Sequence, residues 1–271
     1  MKKHLIPVMI MAAALCGCGG SDTAEPIITK KDIKVENGQL TPEIMHQLGK
    51  VGDPQLSPDG SKILYGVTYT SIEQNKGNRE LYLMNLDGSE NVKLTNTPKS
   101  ESNARWISDS QIIYMRGGKL YTATVNGTSL TAEAEVAGGE GMEGFELSPA
   151  GDKIMFIKSI KAAVKPTDMY PDLDKSSART YTDLMYRHWD HFVEEVPHTY
   201  IADFTGTQVG AATDILAGDT ANPESEGKLF ELPTLPFGGL EQLSWSPDSK
   251  YIAYSCRKLA GRDYAFSTNT D

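Results

Sequence analysis

The sequence contains little cysteine, comparatively little basic charge and no long apolar run, and each shortage excludes a class of protein. Only three of the 271 residues are cysteines. The other two, Cys16 and Cys18, lie in the predicted N-terminal leader at residues 1–18, so Cys256 has no partner left for a disulfide or a zinc cluster. Its place on an apolar strand predicts a buried thiol. With 26 basic and 36 acidic residues the net charge is −10, which argues against a nucleic-acid partner. The apolar run at residues 5–15 is too short to cross a membrane as a helix.

The sequence also lacks the motifs that mark the common catalytic and cofactor sites. There is no Gly-x-Ser-x-Gly elbow, and therefore no support for a serine nucleophile. There is no His-Glu-x-x-His zinc motif, no phosphate-binding loop and no dinucleotide fingerprint. We therefore assign no catalytic residue and expect neither a metal nor a cofactor.

A short phrase occurs four times in the chain. A turn of the Ser-Pro-Asp-Gly type, followed by an apolar strand, begins at Ser57 and again at Ser246, with degraded copies at Ser108 and Ser148. In such a turn proline presets the first dihedral angle, aspartate bonds back to the backbone and glycine accepts a positive φ. Hairpin units that recur every few tens of residues are typical of β-propeller blades.

The spacing of these four serines predicts an all-β fold, an incomplete β-propeller with about three to four blades of four antiparallel strands. The serines are 51, 40 and 98 residues apart, and each of the first two intervals suits one blade. The third interval is of double length, so it holds either two blades with one turn erased or one blade with an insertion. We expect the last strand, at residues 263–267, to have no following partner.

Insertion is the better interpretation of the long interval. Residues 182–189 have helical rather than strand periodicity, with His188 and Trp189 roughly on one side. We therefore predict a helical insertion around residues 176–190, within the third blade.

The whole chain divides into three segments. We predict a signal peptide at residues 1–18, a flexible tether at 19–38 and the partial propeller domain at 39–271. This domain begins with a short helix, for which Thr41 is the N-cap and Pro42 takes the first helical position.

The residues before Cys18 resemble the lipobox of bacterial lipoproteins. Leu15 lies three positions before the cysteine and the small residue Gly17 lies directly before it. The resemblance implies lipidation of Cys18 and an exported protein, located in the periplasm or on the outer membrane and attached to the membrane through its lipid anchor. The alternative is an ordinary secretory signal peptide with incidental cysteines.

One polar cluster lies inside the predicted insertion. His188, Asp190 and His191 are close enough in sequence to suggest a metal site, but at helical spacing Asp190 points elsewhere, so a polar helix end is the better interpretation. Glu194 and Glu195 follow this cluster. Paired carboxylates beside an aromatic ring can bind a cationic amine, and the simpler alternative is a solvated acidic loop.

From residue 40 to residue 271 the chain resembles the prolyl oligopeptidase family of serine peptidases, and within it the bacterial dipeptidyl peptidase V group. The most specific matches are Asp-Met-Tyr-Pro-Asp-Leu-Asp-Lys at 168–175, Thr-Asp-Leu-Met-Tyr-Arg-His-Trp-Asp at 182–190 and Gly-Leu-Glu-Gln-Leu-Ser-Trp-Ser-Pro-Asp at 239–248. The resemblance implies a seven-bladed N-terminal propeller that covers a C-terminal α/β-hydrolase domain. That domain carries the Ser-Asp-His triad and cleaves dipeptides from a free N-terminus. On this expectation the hydrolase domain and about half of the propeller lie outside these residues.

The resemblance also implies how such a propeller takes part in peptide binding. In related enzymes it restricts access to the active site and supplies acidic residues that hold the α-amine of the peptide. The candidates here are Glu194, Glu195 and Glu241, with Trp189 as an aromatic wall. We therefore expect the substrate-gating propeller part of an exported dipeptidyl peptidase, inactive by itself, with peptides and the hydrolase domain as its partners. The alternative is a stand-alone propeller binding module, like the periplasmic propeller of the Tol system.

Overall fold

The repeated turn builds the first hairpin of successive sheets in the structure. This structure is a computed structural model that describes residues 26–184, 186–188, 190–217, 230–235, 238–259 and 261–268. At the first copy, the Gly60 N–H donates to the Ser57 carbonyl over 2.8 Å, and the Ser57 hydroxyl donates to Asp59 over 2.6 Å. At the last copy, the Ser246 hydroxyl donates to Asp248 over 2.6 Å. A serine and an aspartate two residues later therefore stabilise the turn in both the first and the last copy of the phrase.

Among the described residues, three four-stranded antiparallel sheets and the two-stranded sheet that follows them along the chain are here named blades 1 to 4; a further two-stranded sheet lies within the insertion of blade 3. The strands of blade 1 are β1 (Lys50–Leu56), β2 (Lys62–Ser71), β3 (Lys76–Asn85) and β4 (Val92–Lys93). The strands of blade 2 are β5 (Glu101–Trp106), β6 (Gln111–Arg116), β7 (Lys119–Asn126) and β8 (Ser129–Glu135).

Blade 3 begins with β9 (Gly144–Leu147) and β10 (Lys153–Lys161). After a small separate hairpin of β11 (Arg187–His188) and β12 (His191–Phe192), it continues with β13 (Glu195–Asp203) and β14 (Thr213–Asp214). Blade 4 consists of β15 (Leu243–Trp245) and β16 (Ile252–Tyr254). The described residues thus form three blades and the first hairpin of a fourth, which is the incomplete propeller that the spacing of the four serines predicts.

Apolar side chains between consecutive blades form the core. Strand β6 illustrates the reason, because successive side chains of a strand point to opposite faces of the sheet. Ile112 and Tyr114 pack against blade 1, whereas Ile113 packs against blade 3. Full burial of each such side chain contributes about 1.5–3 kcal/mol. Cys256 belongs to the core between blades 3 and 4 and is fully buried, which confirms the predicted structural thiol.

The short N-terminal helix lies where the sequence predicts it. Helix α1 spans Pro42–Gln47, with Thr41 as its N-cap. The Thr41 hydroxyl accepts the Ile44 N–H over 3.3 Å, so it satisfies one of the free donors of the first turn. Within the described ranges, no helix is long and apolar enough to cross a bilayer. The predicted signal peptide and Cys18 lie outside those ranges.

The insertion interrupts blade 3 as predicted, between β10 and β13, and it contains a helix, but the predicted position of that helix is wrong. The helix of the insertion, α2, lies earlier, at Pro166–Met169. In the segment predicted to be helical, the described residues form bends and the hairpin β11–β12, in which His188 pairs with His191. His188 lies 2.6 Å from the carboxylate of Glu231, 43 residues further along the chain, a contact that helical periodicity alone could not reveal.

The predicted final strand at residues 263–267 is also wrong, because this segment forms helix α3 (Gly261–Phe266). The Asp183 carboxylate accepts the Arg262 N–H over 3.2 Å at the first turn of α3. The helix turns Tyr264 inward, where the side chain is buried. Contacts with the insertion therefore decide the conformation of this segment.

Two buried carboxylates meet between blades 1 and 2. Glu80 on β3 and Glu101 on β5 are both fully buried. The Thr97 N–H donates to Glu80 over 3.2 Å, while the Thr95 hydroxyl donates to Glu101 over 2.9 Å. Burial raises the pKa of Glu101 to about 7, the carboxylate of Glu80 acts in the same direction, and the threonine bonds and nearby Arg116 oppose the shift.

Asn103 links blades 2 and 3 through the backbone of a core residue. Its side-chain amide donates to the Phe145 carbonyl over 3.0 Å and accepts the Phe145 N–H over 2.8 Å. Asn103 lies at a β-bulge in β5, with φ at 51°, in the left-handed region that asparagine tolerates better than most residues.

Candidate functional site

The insertion in blade 3 carries two clefts. The first, here named the hairpin cleft, has a volume of about 310 Å³. It is lined by His188, His191, Phe192, Val193, Glu194, Glu195 and Leu235. The second, here named the aromatic cleft, has a volume of about 720 Å³. It is lined by Arg179, Tyr181, Thr182, Asp183, Leu184, Tyr186, Arg262 and Phe266.

The hairpin cleft brings together two of the predicted site residues, Glu194 and Glu195, but their surroundings differ. Glu194 forms an ion pair of 2.7 Å with Lys165 and a second ion pair with Arg179. The bonds to Lys165 and Arg179 lower the pKa of Glu194. Two cations already compensate this carboxylate, so it is poorly placed to take up a further cationic ligand.

Glu195 is the carboxylate that remains available in the hairpin cleft. It begins strand β13, where its backbone is paired with Lys161 of β10. Its side chain is exposed and has no hydrogen-bond or ion-pair partner among the described residues. The strand therefore presents a carboxylate without a hydrogen-bond partner at the rim of the cleft, with Lys165 near enough to act on it electrostatically. This carboxylate can form charge-assisted hydrogen bonds with a ligand ammonium.

The remaining predicted site residues lie elsewhere. Glu241 is exposed on the 3₁₀ turn Leu240–Gln242, just before β15, and it does not line the hairpin cleft. Trp189 and Cys18 lie outside the described residues, so their predicted roles stay predictions.

The three imidazoles near the insertion bind three different carboxylates. His188 lies 2.6 Å from Glu231 and His198 lies 2.6 Å from Asp214. His191 lies 3.1 Å from its neighbour Asp190 and is exposed. Among the described residues, no three metal-binding side chains converge. The structure therefore separates the groups that were close in sequence.

Glu231 organises a buried polar network that the sequence analysis missed. One carboxylate oxygen lies 2.6 Å from Nε2 of His188. The other accepts the Tyr264 hydroxyl over 2.6 Å and the Leu235 N–H over 3.1 Å. Burial and the carboxylate of Glu231 raise the pKa of Tyr264. The network joins the insertion, the segment before blade 4 and helix α3, three segments that are far apart in sequence.

Aromatic rings form the wall between the two clefts. Tyr181 of the aromatic cleft stacks on Phe192 of the hairpin cleft, with ring centroids 6.2 Å apart. The Arg179 guanidinium lies 4.8 Å from the centroid of the same Phe192 ring, a cation–π distance. Because Arg179 also binds Glu194, one arginine couples the charge of the hairpin cleft to its aromatic wall.

A second group of charges lies on the first strands of the blades. Arg105 on β5 is 2.9 Å from Asp53 on β1. Burial raises the pKa of Glu146 on β9, and the nearby Arg105 opposes that shift. The sequence offered no signal for this group, because Asp53, Arg105 and Glu146 come from three blades.

The chain is similar in sequence to two curated proteins of one name. No family model matches the chain. The dipeptidyl-peptidase 5 of Porphyromonas gingivalis is 36% identical over 100% of this chain and 37% of that protein. The dipeptidyl-peptidase 5 of Porphyromonas endodontalis is 34% identical over 87% of this chain and 33% of that protein. The chain therefore spans about a third of the length of the curated relatives it matches.

A solved structure with a similar arrangement of strands is the acylaminoacyl peptidase of Pyrococcus horikoshii. It superposes with a TM-score of 0.47 and 13% sequence identity, over 63% of this chain and 25% of that one. The assignment depends on the two sequence relatives. The chain is a homologue of the dipeptidyl-peptidase 5 proteins over about a third of their length, and its described residues form the antiparallel blades that the resemblance to the prolyl oligopeptidase family implies.

Proposed function

We propose that this chain is the substrate-gating propeller part of an exported dipeptidyl peptidase, and that its blade 3 insertion holds the N-terminus of the peptide. The observation that carries the proposal is the exposed, unpartnered carboxylate of Glu195 at the rim of the hairpin cleft. Hydrolysis itself requires a catalytic domain that these residues do not supply. The propeller part limits access to that domain and selects peptides with a free amine.

The chemistry of the cleft favours an ammonium group over a neutral one. A protonated α-amine has three N–H donors, and a hydrogen bond between charged groups contributes about 1.5–3 kcal/mol. Glu194 does not compete for this role, since Lys165 and Arg179 already bind it. Acetylation of the peptide N-terminus removes the charge and therefore the preference for Glu195.

Replacing Glu195 by glutamine tests this role. We expect the preference for Gly-Phe amide over N-acetyl-Gly-Phe amide to fall roughly tenfold, because one charge-assisted hydrogen bond is lost. The measurement is the pair of dissociation constants for the intact protein, obtained by calorimetric titration.

Asp174→Asn is the matched control for Glu195→Gln. Asp174 is an exposed carboxylate of the same insertion, and it does not line the cleft. We expect this variant to keep the preference for the free amine. An unchanged preference in Glu195→Gln would show that the amine is bound elsewhere. A protein with no preference for a free amine would favour the stand-alone binding module instead.

We further propose that the protein is exported and anchored through lipid on Cys18. A lipoprotein carries several acyl chains, which together anchor it firmly, whereas a single chain gives only marginal binding. Cys18→Ser should therefore move the protein from the membrane fraction to the soluble fraction of its host, as followed by immunoblotting. Retention of the variant in the membrane fraction would contradict the anchor, and Cys16→Ser is the matched control.

A further inference from the structure

His188 has two ring nitrogens in different surroundings. Its Nε2 lies 2.6 Å from the carboxylate of Glu231 in the buried network. Its Nδ1 has no hydrogen-bond partner among the described residues and is not one of their fully buried polar atoms, so solvent can reach it. The residue as a whole is 6% exposed and lines the hairpin cleft together with Glu195.

The carboxylate of Glu231 decides which nitrogen of His188 carries the proton. An ionised carboxylate only accepts hydrogen bonds, so Nε2 must donate to it. In the neutral imidazole the other nitrogen is then an acceptor with a free lone pair. The accessible Nδ1 of His188, a residue that lines the hairpin cleft, is therefore an acceptor on a ring that the buried network holds in place.

We propose that His188 is a second binding residue of the hairpin cleft, which accepts a hydrogen bond from a ligand ammonium through Nδ1, and that Glu231 is the positioning residue that sets its tautomer. The proposal rests on the proposed function of Glu195. An ammonium group has three donors, so it can bind the Glu195 carboxylate and Nδ1 of His188 together. A hydroxyl or a neutral amide N–H lacks the positive charge that strengthens a hydrogen bond to the Glu195 carboxylate.

Glu231 also holds a second residue of the hairpin cleft. Its second oxygen accepts the N–H of Leu235, and Leu235 lines the same cleft as His188. One buried carboxylate therefore holds two residues that contact the cleft, and Tyr264 of α3 holds that carboxylate in turn. This arrangement meets the requirement that a binding group be fixed by a second layer of bonds.

The substitution Glu231→Gln distinguishes positioning from simple packing, because it keeps the shape of the side chain. Leu235 and Tyr264 both donate to the same oxygen, so the glutamine oxygen is favoured there and its NH₂ group faces His188. That NH₂ group can only donate, so Nε2 must become the acceptor and Nδ1 acquires the proton. Nδ1 is then itself a donor, so it can no longer accept a hydrogen bond from the ligand ammonium.

The experiment uses the intact protein labelled with ¹⁵N at histidine, which occurs five times in the sequence. Long-range ¹H–¹⁵N spectra at pH 8 report the tautomer of each ring, and His188→Gln assigns the resonance. We expect an Nε2–H tautomer for His188 and a shift of its Nδ1 resonance when Gly-Phe amide is added. In Glu231→Gln we expect the Nδ1–H tautomer and an affinity for Gly-Phe amide about tenfold lower, equivalent to one charge-assisted hydrogen bond. The affinity for N-acetyl-Gly-Phe amide is expected to change much less.

The outcomes separate this proposal from the role of Glu195. Two results overturn the role of His188: an Nδ1–H tautomer in the wild-type protein, or an Nδ1 resonance that does not shift when Gly-Phe amide binds. Either result does so even if Glu195→Gln abolishes the amine preference. A Glu231→Gln variant with the changed tautomer and unchanged affinity also overturns it. If Glu231→Gln does not fold, the wild-type tautomer and titration still decide the question. If neither variant alters the amine preference, the proposed function fails together with this inference.

Discussion

Replacing Asn103 by alanine is expected to lower the free energy of unfolding by about 3 kcal/mol, since it leaves two backbone groups of a buried residue without partners. The Asn103 amide now satisfies both the N–H and the carbonyl of Phe145, and the Phe145 side chain is fully buried between blades 2 and 3. Alanine also tolerates the φ of 51° poorly, at a cost of roughly 1–2 kcal/mol. Urea denaturation followed by tryptophan fluorescence measures the change.

Asn103→Gly separates the two causes. Glycine adopts a positive φ without strain, so it loses the two hydrogen bonds but not the backbone conformation. We expect the glycine variant to be destabilised, and the alanine variant to be about 1 kcal/mol less stable than it. Equal stability of Asn103→Ala and the wild-type protein would mean that the link between blades 2 and 3 contributes nothing measurable.

Raising the pH from 5.5 to 8 is expected to destabilise the protein through Glu101. Burial raises the pKa of this carboxyl from an ordinary value of 4.5 to about 7, so the folded state retains a proton that the unfolded state has already lost. The stabilisation is complete below about pH 4.5 and disappears as the pH rises through about 7. Between pH 5.5 and 8 the loss is about 2 kcal/mol.

Glu101→Gln should remove this pH dependence, because glutamine does not ionise. The measurement is the free energy of unfolding at both pH values for the wild type and the variant. Glu90→Gln is the control, as Glu90 is exposed on blade 1, and it should keep the wild-type slope. A variant slope equal to that of the wild type would show that Glu101 is ionised in the folded protein throughout this range.

Local sequence signals were sufficient for the blades. The turn at Ser57 closes through bonds within six residues of chain, so its residues predict it directly. Strand β6 is continuous in apolar character because both of its faces are buried, and this too can be recognised in the sequence. Strand β2 extends to Ser71 and β3 begins at Lys76, because their ladder of backbone bonds continues through a polar segment whose composition alone is typical of a loop.

The candidate site was only partly predictable. The sequence indicated Glu194 and Glu195 as a pair, but not that Lys165 and Arg179 bind only the first of them. It indicated a histidine cluster, but not that each imidazole binds a different carboxylate. These distinctions depend on residues up to 43 positions away, such as Glu231 beside His188.

The sequence by itself determined the blades, their hairpin turns, the N-terminal helix and the place of the insertion, because short-range hydrogen bonds and alternating apolar side chains encode them. Only the tertiary structure decided that residues 187–192 form a hairpin, that residues 261–266 form a helix, and that Glu195 rather than Glu194 is available to a ligand. The physical reason is that the burial and the charge compensation of a residue depend on the residues that lie beside it. The sequence gives the identity of each residue, and the fold determines which residues lie beside it.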